Sequence, residues 1–453
     1  MNILSIHMSH DGCVTYVKDN NIIFHTQIDR YNKFKGNASP TYELVQELLK
    51  LEIDVILLTK LSQNSWYDNW LYVFKKYDFF KNKYIIKTES EHHLFHAYSA
   101  LTWNKKIKNI VVADGRGAPH MYDFERESFY TFQNEILDHK ITKDSFSGNH
   151  IGLNYDLFSE KKFGNLHDNG KTMALSLYEE DAKQVQNNYE QQMDLLLKEL
   201  NVNEEILLTG GCAQNILYNE KLLKNYSKVF CDPFNGDFGI SLGHANFYTK
   251  NKIKNDTVYL GIPQDLDLSI FKKYKIINTT YEEVAFILKE NPVAIFQSRS
   301  EQGQRGLGNR SLLMSPFNKK AQEKLNEIKK REYFRPFALS ITEEKTNEWF
   351  QTFSLNSPHM MYTFPLKIQN HNLKSGVSIN NKSRIQTVNQ KNNLHFYNLL
   401  KKCSNEILVN TSLNLPGEVL VETLFDLKKM FENSKLNYIY FPEIQTLIHK
   451  NID

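Results

Sequence analysis

The chain has 453 residues, 41% hydrophobic and 24% charged, an ordinary globular composition with apolar material for more than one core. Its net charge of +3 and pI near 8.3 neither demand nor exclude a polyanionic partner. Cys13, Cys212, Cys231 and Cys403 form no CxxC pair, which argues against a disulfide scaffold or cysteine zinc site and for a reducing compartment.

The first residues, MNILSIHMSHDG, do not read as a secretory leader. No run of about eighteen apolar residues marks a membrane span. The expected location is cytoplasmic: a bacterial cytoplasm, or the host's if the chain is viral. Its richness in Lys, Asn, Ile, Phe and Tyr reads as an AT-rich coding bias.

The apolar run Ile3 to Ile6 ends at His10-Asp11-Gly12, and strand character resumes at Cys13–Val17 and Asn21–Gln27. This predicts a β-meander with a polar loop at a strand tip, where a rigid scaffold can present site residues. Asp11-Gly12 is as readily a plain hairpin turn. Pro40–Lys50 reads as an amphipathic helix, and Val55–Thr59 and Tyr84–Ile86 as strands.

Glu91 to Ala100, EHHLFHAYSA, reads as a helix. His92 and His96, four apart, share one face, where two ring nitrogens can converge on an ion. By itself that spacing is met more often in plain amphipathic helices. Carboxylates from elsewhere in the chain would change this. The strand Lys108–Ala113 offers one, running into Asp114-Gly115-Arg116-Gly117. A second is Asp237, between glycines in Asn235-Gly236-Asp237-Phe238-Gly239.

Between them, Phe129–Gln133 reads as a strand, followed by a polar, aromatic loop and a helix opening at Asn169-Gly170-Lys171. Position 165 is Asn, so this is not a GxxxxGK phosphate loop. A long helix is expected over Asp181–Leu200. Ile206–Thr209 then runs as a strand into Gly210-Gly211 and a helix start near Asn215, a phosphate-cradle geometry that structural glycines would also produce.

A charged stretch near Thr249–Asp256 reads as the start of a linker. Beyond it, helix Tyr281–Glu290 and strand Val293–Gln297 precede Arg299 to Ser311, where Arg299, Arg305 and Arg310 interleave with glycines. That mixture suits anion binding better than a core or a regular helix. Lys329, Lys330, Arg331, Arg335 and Arg384 add cations. The strand Glu406–Val409 delivers Asn410-Thr411-Ser412.

Taken in order, HDG, HHxxHA, DGxG, GKxMxL, LTGGxAxN, GDxG, RSExGxRxLGNRS, KxREYFRPFA, RxQTV and NTSxNxxGE resemble the ATP-dependent O-carbamoyltransferases that decorate antibiotics and nodulation factors. The resemblance implies an α/β protein with a duplicated actin/sugar-kinase-like N-terminal domain, similar to the tRNA threonylcarbamoyl transferases, plus a YrdC-like α/β C-terminal domain. The domains are expected at 1–255 and 281–453, with 256–280 as linker or crossover.

The resemblance also implies a metal site at His92, His96, Asp114 and Asp237 holding Fe(II) or a similar divalent ion, with Mg2+ accompanying ATP. It implies His10 and Asp11 as catalytic residues. Lys171, Gly210, Gly211, Asn215, Arg305, Arg310, Lys329, Arg384, Asn410 and Ser412 are its implied nucleotide and carbamoyl phosphate ligands.

The implied reaction forms carbamoyl-adenylate from carbamoyl phosphate and ATP, then carbamoylates an acceptor hydroxyl. The acceptor is expected to be a small metabolite or sugar, with a 5-hydroxymethyl pyrimidine nucleotide or DNA base as another class. No membrane partner is expected. An actin-fold kinase or ATPase acting on a small hydroxylated substrate is the alternative reading. The chain departs from the family pattern at Ser378 and Asn380, where His and Asp are usual, and at Val419, where Pro is usual.

Overall fold

The structure is a computed structural model. It describes residues 1–60, 65–88, 91–115, 117, 119–120, 123–134, 136–144, 151–166, 168–353, 355–367 and 373–450. The chain forms two compact units, Met1–Asp256 and Thr257–Asp453.

In the first unit, strands β1 (Asn2–His7), β2 (Cys13–Lys18) and β3 (Asn21–Gln27) lead through α1 (Asp29–Asn32) and α2 (Tyr42–Leu49) to β4 (Val55–Thr59). Then come α3 (Ser65–Lys76), β5 (Tyr84–Thr88) and α4 (His92–Trp103). The sheet order is β3-β2-β1-β4-β5. β1–β2 and β2–β3 are antiparallel, while β1–β4 and β4–β5 are parallel.

The chain then repeats this plan. β6 (Asn109–Ala113), β7 (Pro119–His120), β8 (Asp123–Gln133) and β9 (Ile136–Asp144) precede α5 (Ile151–Phe163), α6 (Asn169–Leu175) and α7 (Glu180–Glu199). They are followed by β10 (Glu205–Thr209), α8 (Ile216–Asn225), β11 (Lys228–Cys231) and α9 (Ile240–Tyr248). With the short β7 set aside, the order is β9-β8-β6-β10-β11, with the same two antiparallel and two parallel pairings. Strand order and direction together make this the duplicated α/β arrangement that the resemblance implies.

The two halves exchange their last helices. α4 follows the first sheet but packs on β6, β8 and β10, burying Ala97, Ala100 and Leu101 against Ile110, Val112 and Leu207. α9 follows the second sheet but packs on β1, β2 and β4. α4 and α9 pack on each other, so their N-terminal ends meet where β1 and β6 end. Gly243 permits this approach: a Cβ there would lie 1.8 Å from the Phe95 carbonyl oxygen on α4.

The second unit contains β12 (Lys275–Asn278), α10 (Tyr281–Leu288), β13 (Val293–Phe296), β14 (Arg310–Met314), α11 (Ala321–Lys329), β15 (Ala338–Thr342) and α12 (Glu343–Trp349). It continues with β16 (Thr363–Pro365), β17 (Lys382–Val388), α13 (Leu394–Lys402), β18 (Ile407–Ser412), α14 (Leu424–Glu432), β19 (Tyr438–Phe441) and β20 (Thr446–His449). These strands form one mixed sheet, β12-β20-β19-β13-β14-β18-β15-β17-β16. Val284 and Leu288 of α10 and Phe396 and Leu400 of α13 share a core with Ile295, Leu313 and Leu408 from the sheet.

Two expectations need correction, and a third is extended. Much of 256–280, read as a linker, is built into the second unit, where β12 pairs antiparallel with β20. The loop expected before Asn169 contains α5; its buried positions include Gly152 and Ser159, so it shows no apolar stripe. Phe129–Gln133 is a paired strand as expected, the end of the longer β8, which lies between β6 and β9.

Candidate metal centre and anion site

Each half of the first unit presents one polar strand tip and one helix start, and these meet at four side chains. His92 and His96 point from one face of α4, fully or almost fully buried. Asp114 follows β6, and Asp237 opens the turn before α9. His92 Nε2 lies 3.2 Å from Asp114 Oδ2 and 3.4 Å from Asp237 Oδ1, while His96 Nε2 lies 3.3 and 3.5 Å from the same oxygens. The two Nε2 atoms are 3.2 Å apart, and one donor atom from each of the four residues lies within 4.8 Å of every other.

These separations fit a divalent ion. A tetrahedron with metal–ligand bonds of about 2.0–2.1 Å has edges of about 3.3–3.4 Å. Two imidazoles and two carboxylates are a donor set that Fe(II) and similar ions accept. Without an ion, burial works against charge on His92, but Asp237 and Asp114 outweigh it and hold the imidazolium up to about 10. Asp114 and Asp237 are half-buried, which opposes their charge, yet the facing histidines hold both carboxylates below the usual range. Protons therefore occupy the charge balance that a cation would take over.

The glycines after β10 fix Asp114. Gly210 has φ +84°, and a Cβ there would lie 2.3 Å from the Ala113 carbonyl oxygen, so only glycine fits this crossing. The Gly211 N–H donates to Asp114 Oδ1 at 3.2 Å, and the Gly115 N–H donates to the same oxygen at 2.8 Å. Asp114 Oδ2 is thereby left to the histidines.

His10 and Asp11 lie in the β1–β2 loop. His10 Nδ1 is 3.8 Å from Asp237 Oδ2, and His10 Nε2 is 3.6 Å from Asp11 Oδ2. The His10 side chain is 40% exposed, whereas His92 and His96 are shut off from solvent. Burial opposes its charge, but Asp237, Asp11 and Asp114 hold it up to about 9.

Two residues at this centre were not singled out in the sequence. His7, fully buried at the end of β1, has Nε2 3.8 Å from Asp237 Oδ2; the signal for it was a histidine inside an otherwise apolar strand. Asp156 on α5 has Oδ2 3.3 Å from where a Gly115 Cβ would stand, and it accepts a hydrogen bond from Asn169. Burial raises its carboxyl to about 6, with Asp114 adding to the effect.

Two other first-unit expectations change. Asn215 spends its side chain on structure: Oδ1 caps α8 through Tyr218 N–H, and Nδ2 donates to Gln186. Lys171 pairs with Asp168 at 3.0 Å, one turn away on α6.

In the second unit, Arg305, Lys329 and Arg384 come together with Arg331 and Arg335. Burial lowers the pKa of Arg384 well below its ordinary value, and Arg305, Arg331 and Arg335 add to the effect. Burial and Arg335 bring Arg305 down to about 10; the same causes bring Arg331 to about 9. Glu332 pairs with Arg335 at 3.0 Å. An excess of half-buried cations around the buried Lys329 is what an anion site requires before its anion arrives.

Lys329 Nζ ties this cluster to the end of β18, donating to the carbonyl oxygens of Ser412 and Asn414, each at 2.7 Å. The Ser412 hydroxyl donates to Asn414 Oδ1 at 2.8 Å. Asn410 donates to Ser340 and Gln386, while its Oδ1 is buried without a partner among the described residues.

Arg310 is a correction. It is fully buried over the Phe296 ring at 3.6 Å, and its Nη atoms donate to the carbonyls of Gln297, Ser298, Asn309 and Glu422. Those donors hold the sheet and loops together rather than face a phosphate. Glu301 is the matching organiser: its Oε1 accepts from the N–H groups of Leu307, Asn309 and Arg310. Ser378 and Asn380 hydrogen-bond to each other in a turn before β17.

Residues 284–448 match the family described as Carbamoyltransferase C-terminus. An uncharacterized protein of Methanocaldococcus jannaschii is 27% identical over 425 residues, covering 74% of this chain and 69% of that one. The 3'-hydroxymethylcephem-O-carbamoyltransferase of Amycolatopsis lactamdurans is 29% identical over 250 residues, covering 51% of this chain and 46% of its own. Among solved structures, the ROK hexokinase of Thermus thermophilus aligns with a TM-score of 0.33 and 9% identity, covering 54% of this chain and 97% of that one.

The second unit thus carries a carbamoyltransferase C-terminal domain. The chain is similar to O-carbamoyltransferases, and it spans about half the length of the Amycolatopsis enzyme.

Proposed function

We propose that this protein is an ATP-dependent O-carbamoyltransferase. The observation that carries the reading is the match of 284–448 to the carbamoyltransferase C-terminus, the stretch that holds the cations Arg305, Lys329, Arg331, Arg335 and Arg384, of which Lys329 is buried and the arginines half-buried. Two polyanions must meet in the first step, and these cations offset their mutual repulsion. Carbamoyl phosphate gives up phosphate to water, and the resulting carbamate oxygen attacks the α-phosphorus of ATP. Pyrophosphate leaves and carbamoyl-adenylate forms. Asn410 and Ser412, at the end of β18, offer amide and hydroxyl groups to the nucleotide.

The carbamoyl group is then consumed in the first unit. His92, His96, Asp114 and Asp237 would hold a divalent ion, Fe(II) in this proposal, which supplies Lewis acidity to phosphate oxygens. An ion held by Asp114 and Asp237 would cancel the negative charge that otherwise keeps His10 protonated, so that His10, oriented by Asp11 and open to solvent, takes the acceptor's hydroxyl proton. The acceptor oxygen forms the new bond to the carbamoyl carbon, and the bond to AMP breaks. Gly210 and Gly211 let the nucleotide phosphate approach this end of the sheet.

The test is to supply ATP, carbamoyl phosphate, Mg2+ and Fe2+ and to follow nucleotide products. AMP and pyrophosphate that depend on carbamoyl phosphate support the reading. ADP as product would replace it with an actin-fold kinase or ATPase. The acceptor class follows from mass spectrometry for a carbamoyl gain on hydroxylated metabolites, sugars, and 5-hydroxymethyl pyrimidines, free or in DNA.

A further inference from the structure

We propose that His7 is the positioning residue of the metal centre: it fixes Asp237 by donating its Nε2–H to Oδ2, so that Oδ1 alone serves as the ligand. The inference rests on the reading that His92, His96, Asp114 and Asp237 hold an ion.

Asp237 has two distinct oxygens. Oδ1 faces His92 and His96 at 3.4 and 3.5 Å. Oδ2 faces His7 and His10, each at 3.8 Å. A carboxylate beside a cation can swing or bind through both oxygens unless something holds the second one, which is why partners behind a ligand are needed.

The two histidines at Oδ2 are not equivalent. The His10 side chain is 40% exposed and His7 is 0% exposed. An acceptor can reach His10; His7 faces only protein. Both ring nitrogens of His7 are buried without a hydrogen-bond partner among the described residues, a state that costs about 1–3 kcal/mol per group. Its Nε2 stands a few tenths of an ångström beyond hydrogen-bond range of Asp237 Oδ2. Closing that distance satisfies His7 and orients Asp237 at once.

The backbone supports the same assignment. His7 pairs with Cys13 and Thr59 in neighbouring strands, so its ring is carried on the middle strand of the sheet. Cys13 Sγ donates to the Asp237 carbonyl oxygen at 3.5 Å. α9, which Asp237 leads into, packs on β1 and β2. His7 and Asp237 therefore belong to one packed layer, and a small adjustment of side chains suffices.

The test uses the full chain and Co2+ alone, followed by visible absorption, metal content and thermal unfolding. His7→Leu fills the volume without a donor; His7→Gln restores an N–H. The expected result is one ion per chain in all three proteins. His7→Leu should bind roughly 10- to 100-fold more weakly with an altered Co2+ spectrum, and His7→Gln should recover most of the loss.

Equal affinity in His7→Leu overturns the proposal, as does a folded His7→Gln no tighter than His7→Leu. Loss of one nitrogen neighbour from the cobalt X-ray absorption spectrum of His7→Leu also overturns it, since His7 would then be a ligand itself. If the unaltered chain binds no Co2+, the four-residue centre falls and the inference falls with it. Binding by the unaltered chain that His7→Leu leaves unchanged removes only the role of His7.

Discussion

Arg310 and Arg384 are both buried or half-buried arginines in the second unit, but their surroundings predict opposite behaviour. The Arg310 forks are spent on four backbone carbonyls. Arg384 stands among Arg305, Arg331 and Arg335, which depress its pKa together with burial. Arg384→Ala should lower pyrophosphate release about 100-fold, the scale of removing one aimed donor. It should leave the ligand-free protein as stable as before or slightly more so, because a self-repelling cation has gone. Arg310→Ala should instead cost about 3 kcal/mol or more in urea unfolding, since buried carbonyls lose their donors. Equal losses of stability in both variants would refute the distinction.

At the scale of elements, the candidate metal centre depends on two exchanged helices. α4 brings the histidines, the turn before α9 brings Asp237, and the helices cross where Gly243 meets the Phe95 carbonyl. His244 stacks on Phe95 beside this crossing, ring centroids 4.4 Å apart, with its Nδ1 2.8 Å from Thr59 Oγ1. Gly243→Ala puts a methyl where backbone stands, and overpacking of this kind costs about 1–3 kcal/mol. The helices must separate to accept it, so Co2+ affinity should fall although no ligand has changed. Unchanged affinity with lowered stability would show that the crossing does not govern the site.

Across the molecule, buried histidines set the response to acid. Burial lowers His25 and His244 to about 3, from an ordinary value near 6.5. Their neutral forms are the folded ones, so their contribution is complete above pH 6.5 and is lost as pH falls from there towards 3. Each costs about 1.4 kcal/mol per pH unit in that window. His10 and His92, raised to about 9 and 10, are protonated in both folded and unfolded chains below 6.5 and add no slope there. Between pH 7 and 5 His25 and His244 together should remove roughly 4 kcal/mol. Asp156 and Asp232 offset this in part: burial raises their carboxyls to about 6, so the folded chain takes up protons over the same range. Urea midpoints of the unaltered chain and of His25→Gln across this range would measure it; parallel pH slopes would refute the assignment.

Much of this protein was legible in order along the chain. Apolar runs ending in Asp114 or Gly210 announce strand tips, because a buried strand must be apolar and its end is free to be polar. The histidine spacing on α4 and the two glycine-flanked aspartates were visible for the same local reasons. What the sequence could not rank was function among similar signals. Arg310, Arg305 and Arg384 look alike as letters, and Asn215 looks like a nucleotide ligand until its side chain is seen capping α8. His7 sits in a strand like any core position.

Those assignments depend on which groups burial brings within a few ångströms and which carbonyls already hold the donors, both properties of strand order and helix exchange. By itself the sequence determined the apolar strands, the periodic helices, the polar strand tips and most of the chemically able residues, whereas α5 and β12 emerged only in the fold. Only the tertiary structure decided that His92, His96, Asp114 and Asp237 share one centre, that His7 stands behind Asp237, and that Arg310 is structural. Desolvation and distance act between residues far apart in the chain, and no local pattern records them.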